Sequence, residues 1–294
     1  MSRKQAELLL AAVILTRSSA YMFSKAGLAS LGAFNLLAAR FLIGFLLLSL
    51  IFFKRLRHIS AADIKAGAVI GALFTAVMGL EMTALKTTHT STVSFLENTA
   101  IVIVPLMEAA IVRRMPKLAS LISAALALSG VALLTLSSGA FSFTPGEACC
   151  LCAAVLYAAA IIVTDRFSHK GDALMIGIMQ VGFIGLFSLI LSLIFEQPRI
   201  PSGAAEWGSV LVLALVCTGF GFTLQPVAQS HTTSQRAGLM CALNPAFAGM
   251  LGVIVLGEPL TVQGVCGALC ILLSLYIPHI IERIPAHRKV KTTG

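Results

Sequence analysis

The chain is a succession of apolar runs of about twenty residues each, and a helix of that length crosses the hydrocarbon core of a bilayer. Ten such runs are present, at 5–27, 33–53, 64–85, 91–112, 118–137, 146–165, 173–195, 207–228, 235–256 and 262–282. They are continuous and do not alternate polar with apolar residues, which argues for helices over the strands of a membrane barrel. The connections are short and leave no soluble domain to carry separate chemistry. Only 11% of the residues are charged and mean hydropathy is +0.95, where a soluble domain carries roughly 25% charged residues. A chain this poor in charge cannot cover a water-facing surface. The expected fold class is therefore all-α integral membrane, with ten transmembrane helices.

A net charge of +9 and a pI near 9.5 raise nucleic acid as a partner. The cations are not interleaved with aromatics on a polar face, however; they cluster between the apolar runs, as membrane orientation requires. With the N-terminus in the cytoplasm, the inside segments hold sixteen: Arg3, Lys4, Lys54, Arg55, Arg57, Lys65, Arg113, Arg114, Lys117, Arg166, Lys170, Arg236, Arg283, Arg288, Lys289 and Lys291. The outside connections hold Lys86 and Arg199, and Arg17, Lys25 and Arg40 fall within spans. This asymmetry predicts a multi-pass protein of the plasma (cytoplasmic) membrane with both termini cytoplasmic, lipid as its surroundings and no nucleic-acid partner. The seven cysteines lie inside apolar runs with no histidine beside them. They read as small packing residues, so neither a metal site nor a cofactor is expected.

The second half of the chain repeats the first. Ala6-Glu7, opening the first run, matches Gly146-Glu147, opening the sixth, at an offset of 140; there Lys25 meets Asp165 and Arg40 meets Gln180. Thr90-Ser91 matches Thr233-Ser234, and Pro116 matches Pro259, at an offset of 143. The opening segment, Ser2-Arg3-Lys4 before apolar residues, thus has a counterpart and reads as a span, not a secretory signal. Two five-helix repeats follow, 1–140 and 141–294, and because five is odd the second enters the membrane inverted. Inverted repeats place a substrate site near the midplane, between the halves. Gly67 and Gly71 form a GxxxG, a spacing suited to close helix contact. Pro105, Pro226 and Pro245 each delete a backbone donor inside a run.

Several short stretches carry a family likeness: Arg40-Phe41, Phe95-Leu96, Pro105-Leu106, Arg113-Arg114-Met115-Pro116, Asn244-Pro245 and Leu256-Gly257-Glu258-Pro259-Leu260-Thr261. By these the chain resembles the EamA family of the drug/metabolite transporter superfamily along nearly its whole length. The resemblance implies a ten-helix carrier of small metabolites or drugs with a cavity between its repeats. One departure stands out. The family often has tryptophan eight residues before a lysine in the first span; here Arg17 stands eight before Lys25.

A charge at the bilayer centre costs about 2.5–3.5 kcal/mol on insertion scales, so intramembrane ions need a partner and a reason. Arg17 lies about 12 residues, or some 18 Å, into the first run. Arg40 and Glu97 lie at similar depths, about 9–10 Å below the far ends of their runs, and Glu81 is shallower. Arg40, Glu97, Glu81 and His89 are the candidates for structural or proton-coupling roles, with Arg40 and Glu97 expected to neutralise each other directly or through a water. The second half offers neutral groups: Tyr157, Gln180, Gln225 and Asn244. Tyr157 corresponds to Arg17 at the offset of 140. The expected substrate-binding set is Arg17, Tyr157, Gln180 and Asn244, with Arg17 holding an anionic group. A cationic wall facing a hydrogen-bonding wall suits a small zwitterion or organic anion.

The chain contains no Walker motif, no HExxH and no GxSxG. Direct use of ATP and the commoner intramembrane hydrolase chemistries are thereby set aside, and internal inverted symmetry favours a carrier over a channel. The expectation is a secondary transporter, a non-enzyme, exporting small metabolites such as amino acids, with a proton as one coupling option. A drug or nucleobase carrier of the same fold is the alternative, with an intramembrane enzyme ranked behind it.

Overall fold

The structure, a computed structural model, describes residues 1–28, 30–85, 90–135, 144–256 and 262–283. Among these residues it holds fourteen α-helices and one π-helical stretch, and no strand. The first half carries α1 (Arg3–Leu28), α2 (Ala33–Ile51), α3 (Phe53–Leu56), α4 (Ala61–Leu85), α5 (Thr90–Asn98), α6 (Ala100–Val112) and α7 (Leu118–Thr135). The second carries α8 (Pro145–Ser168), α9 (Ala173–Phe195), α10 (Ala204–Val212), α11 (Thr223–Gln229), α12 (Ser234–Met240), α13 (Leu243–Leu256) and α14 (Val262–Arg283). Each apolar run falls on helix, but three are not the single rods the sequence suggests. The fourth breaks at Thr99 and the ninth at Cys241–Ala242. The eighth passes from α10 through the π-helical Leu213–Phe222 into α11.

Polarity runs inside out relative to a soluble protein. Leu8, Leu50, Ile51, Phe195, Ile254 and Val262 are largely exposed, whereas Thr164, Gln180, Ser188 and Thr218 are completely buried. Apolar surface on this scale needs lipid against it. Among the described residues, Ala33–Ile51, Ala61–Ala84, Phe95–Val112, Pro145–Ser168, Ala173–Phe195 and Ala204–Gln229 are long and apolar enough to cross a membrane. Leu118–Leu133 and Val262–Ile277 are shorter apolar helices. The fold is that of a multi-pass helical membrane protein.

Glycines set the closest helix contacts. Gly67 and Gly71 lay α4 against α9 at Met179, Gln180 and Phe183, so the GxxxG is an interface between the halves. Gly182 and Gly185 bring α9 onto α2 at Phe45 and Leu42.

The helix ends are capped in two ways. Asp172 caps α9 itself, its Oδ1 accepting from the N–H groups of Leu174 and Met175 at 3.1 and 3.3 Å. Gly32 has no side chain with which to cap α2, and the cap comes from the other half: Phe34 and Asn35 N–H donate to the Glu196 carboxylate at 3.1 and 2.9 Å. A further tie joins α1 to α12, where Arg236 donates through Nε and Nη2 to Glu7. Arg236 is therefore a nearly buried, ion-paired residue of α12, not a loop cation.

Candidate functional site

Arg17 sits more than about 16 Å from either end of α1 at 1.5 Å per residue, and it is partly buried in the bundle. One short segment, Gly221 to Gln225, receives much of it. A Cβ on Gly221 would stand 3.0 Å from Arg17 Cγ, so the missing side chain admits the aliphatic stem. The guanidinium carbon lies 4.3 Å from the centre of the Phe222 ring. Nη1 donates to Gln225 Oε1 at 2.8 Å. Phe74 of α4 and Tyr157 of α8 stand at 5.7 and 5.9 Å from the same carbon. Phe222 packs edge-on against Phe41 at 5.0 Å and Phe74 at 5.5 Å, which fixes the ring array. Ring faces attract a cation by about 0.5–1 kcal/mol at exposed sites and about 2 kcal/mol or more when it is desolvated, so this cage offsets part of the cost of placing the partly buried Arg17 here.

The receiving segment is shaped by Pro226. Proline has no N–H, so the Phe222 carbonyl four residues earlier loses its helical donor. Gln180 of α9, fully buried, supplies one: its Nε2 donates to Phe222 O at 2.6 Å. The π-helical stretch ends at the same residue, and such stretches recur where a helix departs from regularity for function.

Arg17 and Tyr157 thus come together, and Asn244 is adjacent: its Oδ1 accepts from Ser18, the residue after Arg17, at 2.5 Å. The Tyr157 hydroxyl lies 3.3 Å from Cys241 Sγ at the break of the ninth run. Gln180 does not share this cluster; its amide nitrogen serves the Phe222 backbone. Phe222, Phe74, Gly221 and Ser18 were absent from the expected set, and so was Gln225, although it had been noted among the neutral polar residues. The one signal in the sequence was Pro226, which orphans a carbonyl in an apolar run.

The expected Arg40–Glu97 pair is not formed. Arg40 Nη1 donates to Ser24 Oγ at 3.4 Å, Nη2 meets Met78 Sδ at 3.9 Å, and the guanidinium stacks on Phe41 at 4.7 Å. The carboxylate whose field reaches Arg40 is Glu81, which in turn feels Glu97, Arg40 and Arg17. Similar depth on two helices therefore did not mean facing directions. His89 lies outside the described residues. Among the described residues, no three His, Cys, Asp or Glu side chains converge as a metal site would need.

A bundle of lipid-facing helices enclosing a caged cation and buried polar residues defines a polytopic membrane protein. Two comparisons then fix its kind. The profile of the EamA-like transporter family matches twice, over residues 4–136 and 144–278. The chain belongs to this family, consistent with the drug/metabolite transporter superfamily, and is a membrane transporter. It is similar to an uncharacterised transporter of Archaeoglobus fulgidus, 27% identical over 282 residues that span 94% of this chain and 86% of the relative. A solved crystal structure shares the fold, with a TM-score of 0.80 over 96% of this chain and 99% of the other at 18% identity.

Proposed function

We propose that this transporter has ten transmembrane helices in two inverted repeats, 1–140 and 141–294, and exports small metabolites such as amino acids by alternating access. The breaks support the repeat reading: Thr99 and Ala242 are 143 residues apart, the offset that also relates Thr90 to Thr233. The packing supports it too, since α2 lies on α9 and α7 on α14, each pair joining runs five places apart. So does the family profile, matched once in each half. With Arg236 set aside as a buried helix residue, fifteen cations on one side and two on the other favour both termini in the cytoplasm of a plasma-membrane protein. Tags on both termini should then be shielded from the outside in intact cells; labelling of either without permeabilisation would reverse the orientation.

The observation that carries the substrate reading is Arg17, a fixed cation deep in the bundle and held by residues of both halves. A guanidinium in this place suits an anionic group such as a carboxylate. Tyr157 and Asn244 line the same place with hydrogen-bonding capacity, while Arg40, Glu81 and Glu97 form the charged layer available for coupling. Counterflow of a mixture of labelled L-amino acids into proteoliposomes tests this. Transport should saturate, need no ATP and be stimulated from the opposite side. Arg17→Gln should raise the half-saturating concentration roughly tenfold or more, as loss of a charged hydrogen bond does, in a variant that still elutes as folded protein. Normal transport by Arg17→Gln would defeat the assignment.

A further inference from the structure

We propose that Gln180 is a positioning residue that acts on Arg17 through Phe222, so that α9 sets the affinity of the site without touching substrate. The inference rests on the reading of Arg17 as the substrate anchor and assigns Gln180 a different part from the one its sequence suggests. Three observations carry it. Pro226 takes away the N–H that a helix would give to the Phe222 carbonyl, and Gln180 Nε2 donates to that carbonyl at 2.6 Å. The Phe222 ring lies 4.3 Å from the Arg17 guanidinium, closer than those of Phe74 and Tyr157, and it sits where the π-helical stretch becomes α11. Gln180 Oε1 is buried with no partner, so no second network holds the amide in place.

A leucine at 180 would fill much the same volume at no cost for a buried polar group. The bond to Phe222 O is what the amide adds. Gly177, one turn earlier on α9, lies against the carbonyl of Thr223, so the helix braces both residues of the junction. Rotation of Phe222 would move the ring beneath Arg17 and shift Gln225, three residues on, whose Oε1 holds Nη1. The chain of cause therefore runs from Pro226 to the orphaned carbonyl, to Gln180, to the Phe222 ring and to Arg17.

The test uses the full chain and a suppressor. Gln180→Leu removes the side-chain donor to Phe222 O; Pro226→Ala returns a backbone N–H at 226 that can serve it. Two readouts are taken: the rate at which phenylglyoxal modifies Arg17 in substrate-free protein, by peptide mass spectrometry, and the half-saturating concentration of the labelled L-amino-acid mixture in counterflow. Gln180→Leu should raise both by roughly tenfold, the effect of an unsatisfied buried acceptor, with a smaller change in maximal rate. Adding Pro226→Ala should return both toward wild type. A Gln180→Leu protein that only melts earlier, with Arg17 reactivity and half-saturation unchanged, would overturn the proposal. Should that variant fail to accumulate, the double variant should accumulate, and its failure would overturn it as well. If wild-type counterflow is absent while Arg17 reactivity follows the predicted order, the amino-acid reading falls and the positioning role stands.

Discussion

The two halves bring unlike chemistry to the same place. The first contributes charge: Arg17 on α1, Arg40 on α2, Glu81 on α4 and Glu97 on α5. The second contributes shape and neutral polarity, through Tyr157, Gln225, Asn244, the π-helical stretch and Pro226. Arg17 is an intramembrane liability on its own helix and gains partners from the second half where Gly221, Phe222 and Gln225 dock against it. A charge in a membrane is thus a functional group only through the geometry that another element imposes on it. The helix caps repeat the contrast, since α9 caps itself with Asp172 while α2 borrows Glu196 from the other half.

If the halves depend on each other this way, ties that cross between them should matter most. The largest effect is expected at Glu7–Arg236, which is mostly buried. Arg236→Ala takes this partner from Glu7, and breaking a buried pair costs about 3–5 kcal/mol in soluble proteins. Thermal melting in detergent should fall sharply, and an unchanged melting temperature would mean that α1 and α12 are not joined there. Next come the caps. Glu196→Ala and Asp172→Ala should each cost about 1 kcal/mol, as lost N-caps do. Both should also change transport kinetics, because each carboxylate also bonds across the halves, Glu196 to the start of α2 and Asp172 to Arg55 at 2.7 Å; unchanged kinetics in either variant would mean that its tie plays no part in the movement. The smallest effect separates partners within the charged layer. Arg40→Ala with Glu81→Ala should show a coupling of about 0.5–3 kcal/mol, larger than Arg40→Ala with Glu97→Ala. The reverse order would restore the Arg40–Glu97 pair.

Helix positions were legible because apolar length is a local property. The run at 173–195 coincides with α9, Ala173–Phe195, and Gly67–Gly71 marked an interface that the packing contains. The offset of 140 that relates Arg17 to Tyr157 links residues whose guanidinium and ring lie 5.9 Å apart. What stayed hidden depends on azimuth and on long-range docking. Depth along a helix can be counted, but the direction a side chain faces around it cannot, which is why Arg40 meets Ser24 and Met78 instead of Glu97. Gln225 is 208 positions from Arg17, beyond any periodic signal. The breaks at Thr99, after Glu97 and Asn98, and at Cys241–Ala242 sit inside runs whose overall composition still reads as one rod.

The central claim is that Arg17 recognises an anionic group at a site shared by the halves. Competition in the counterflow assay tests it most directly, with unlabelled L-amino acids set against the corresponding L-amino-acid amides, which keep the side chain and amine but lack the carboxylate. Wild-type protein should be inhibited by the acids and far less by the amides, and Arg17→Gln should lose that preference. Equal inhibition by acids and amides in the wild type, or an undiminished preference in Arg17→Gln, would contradict the account.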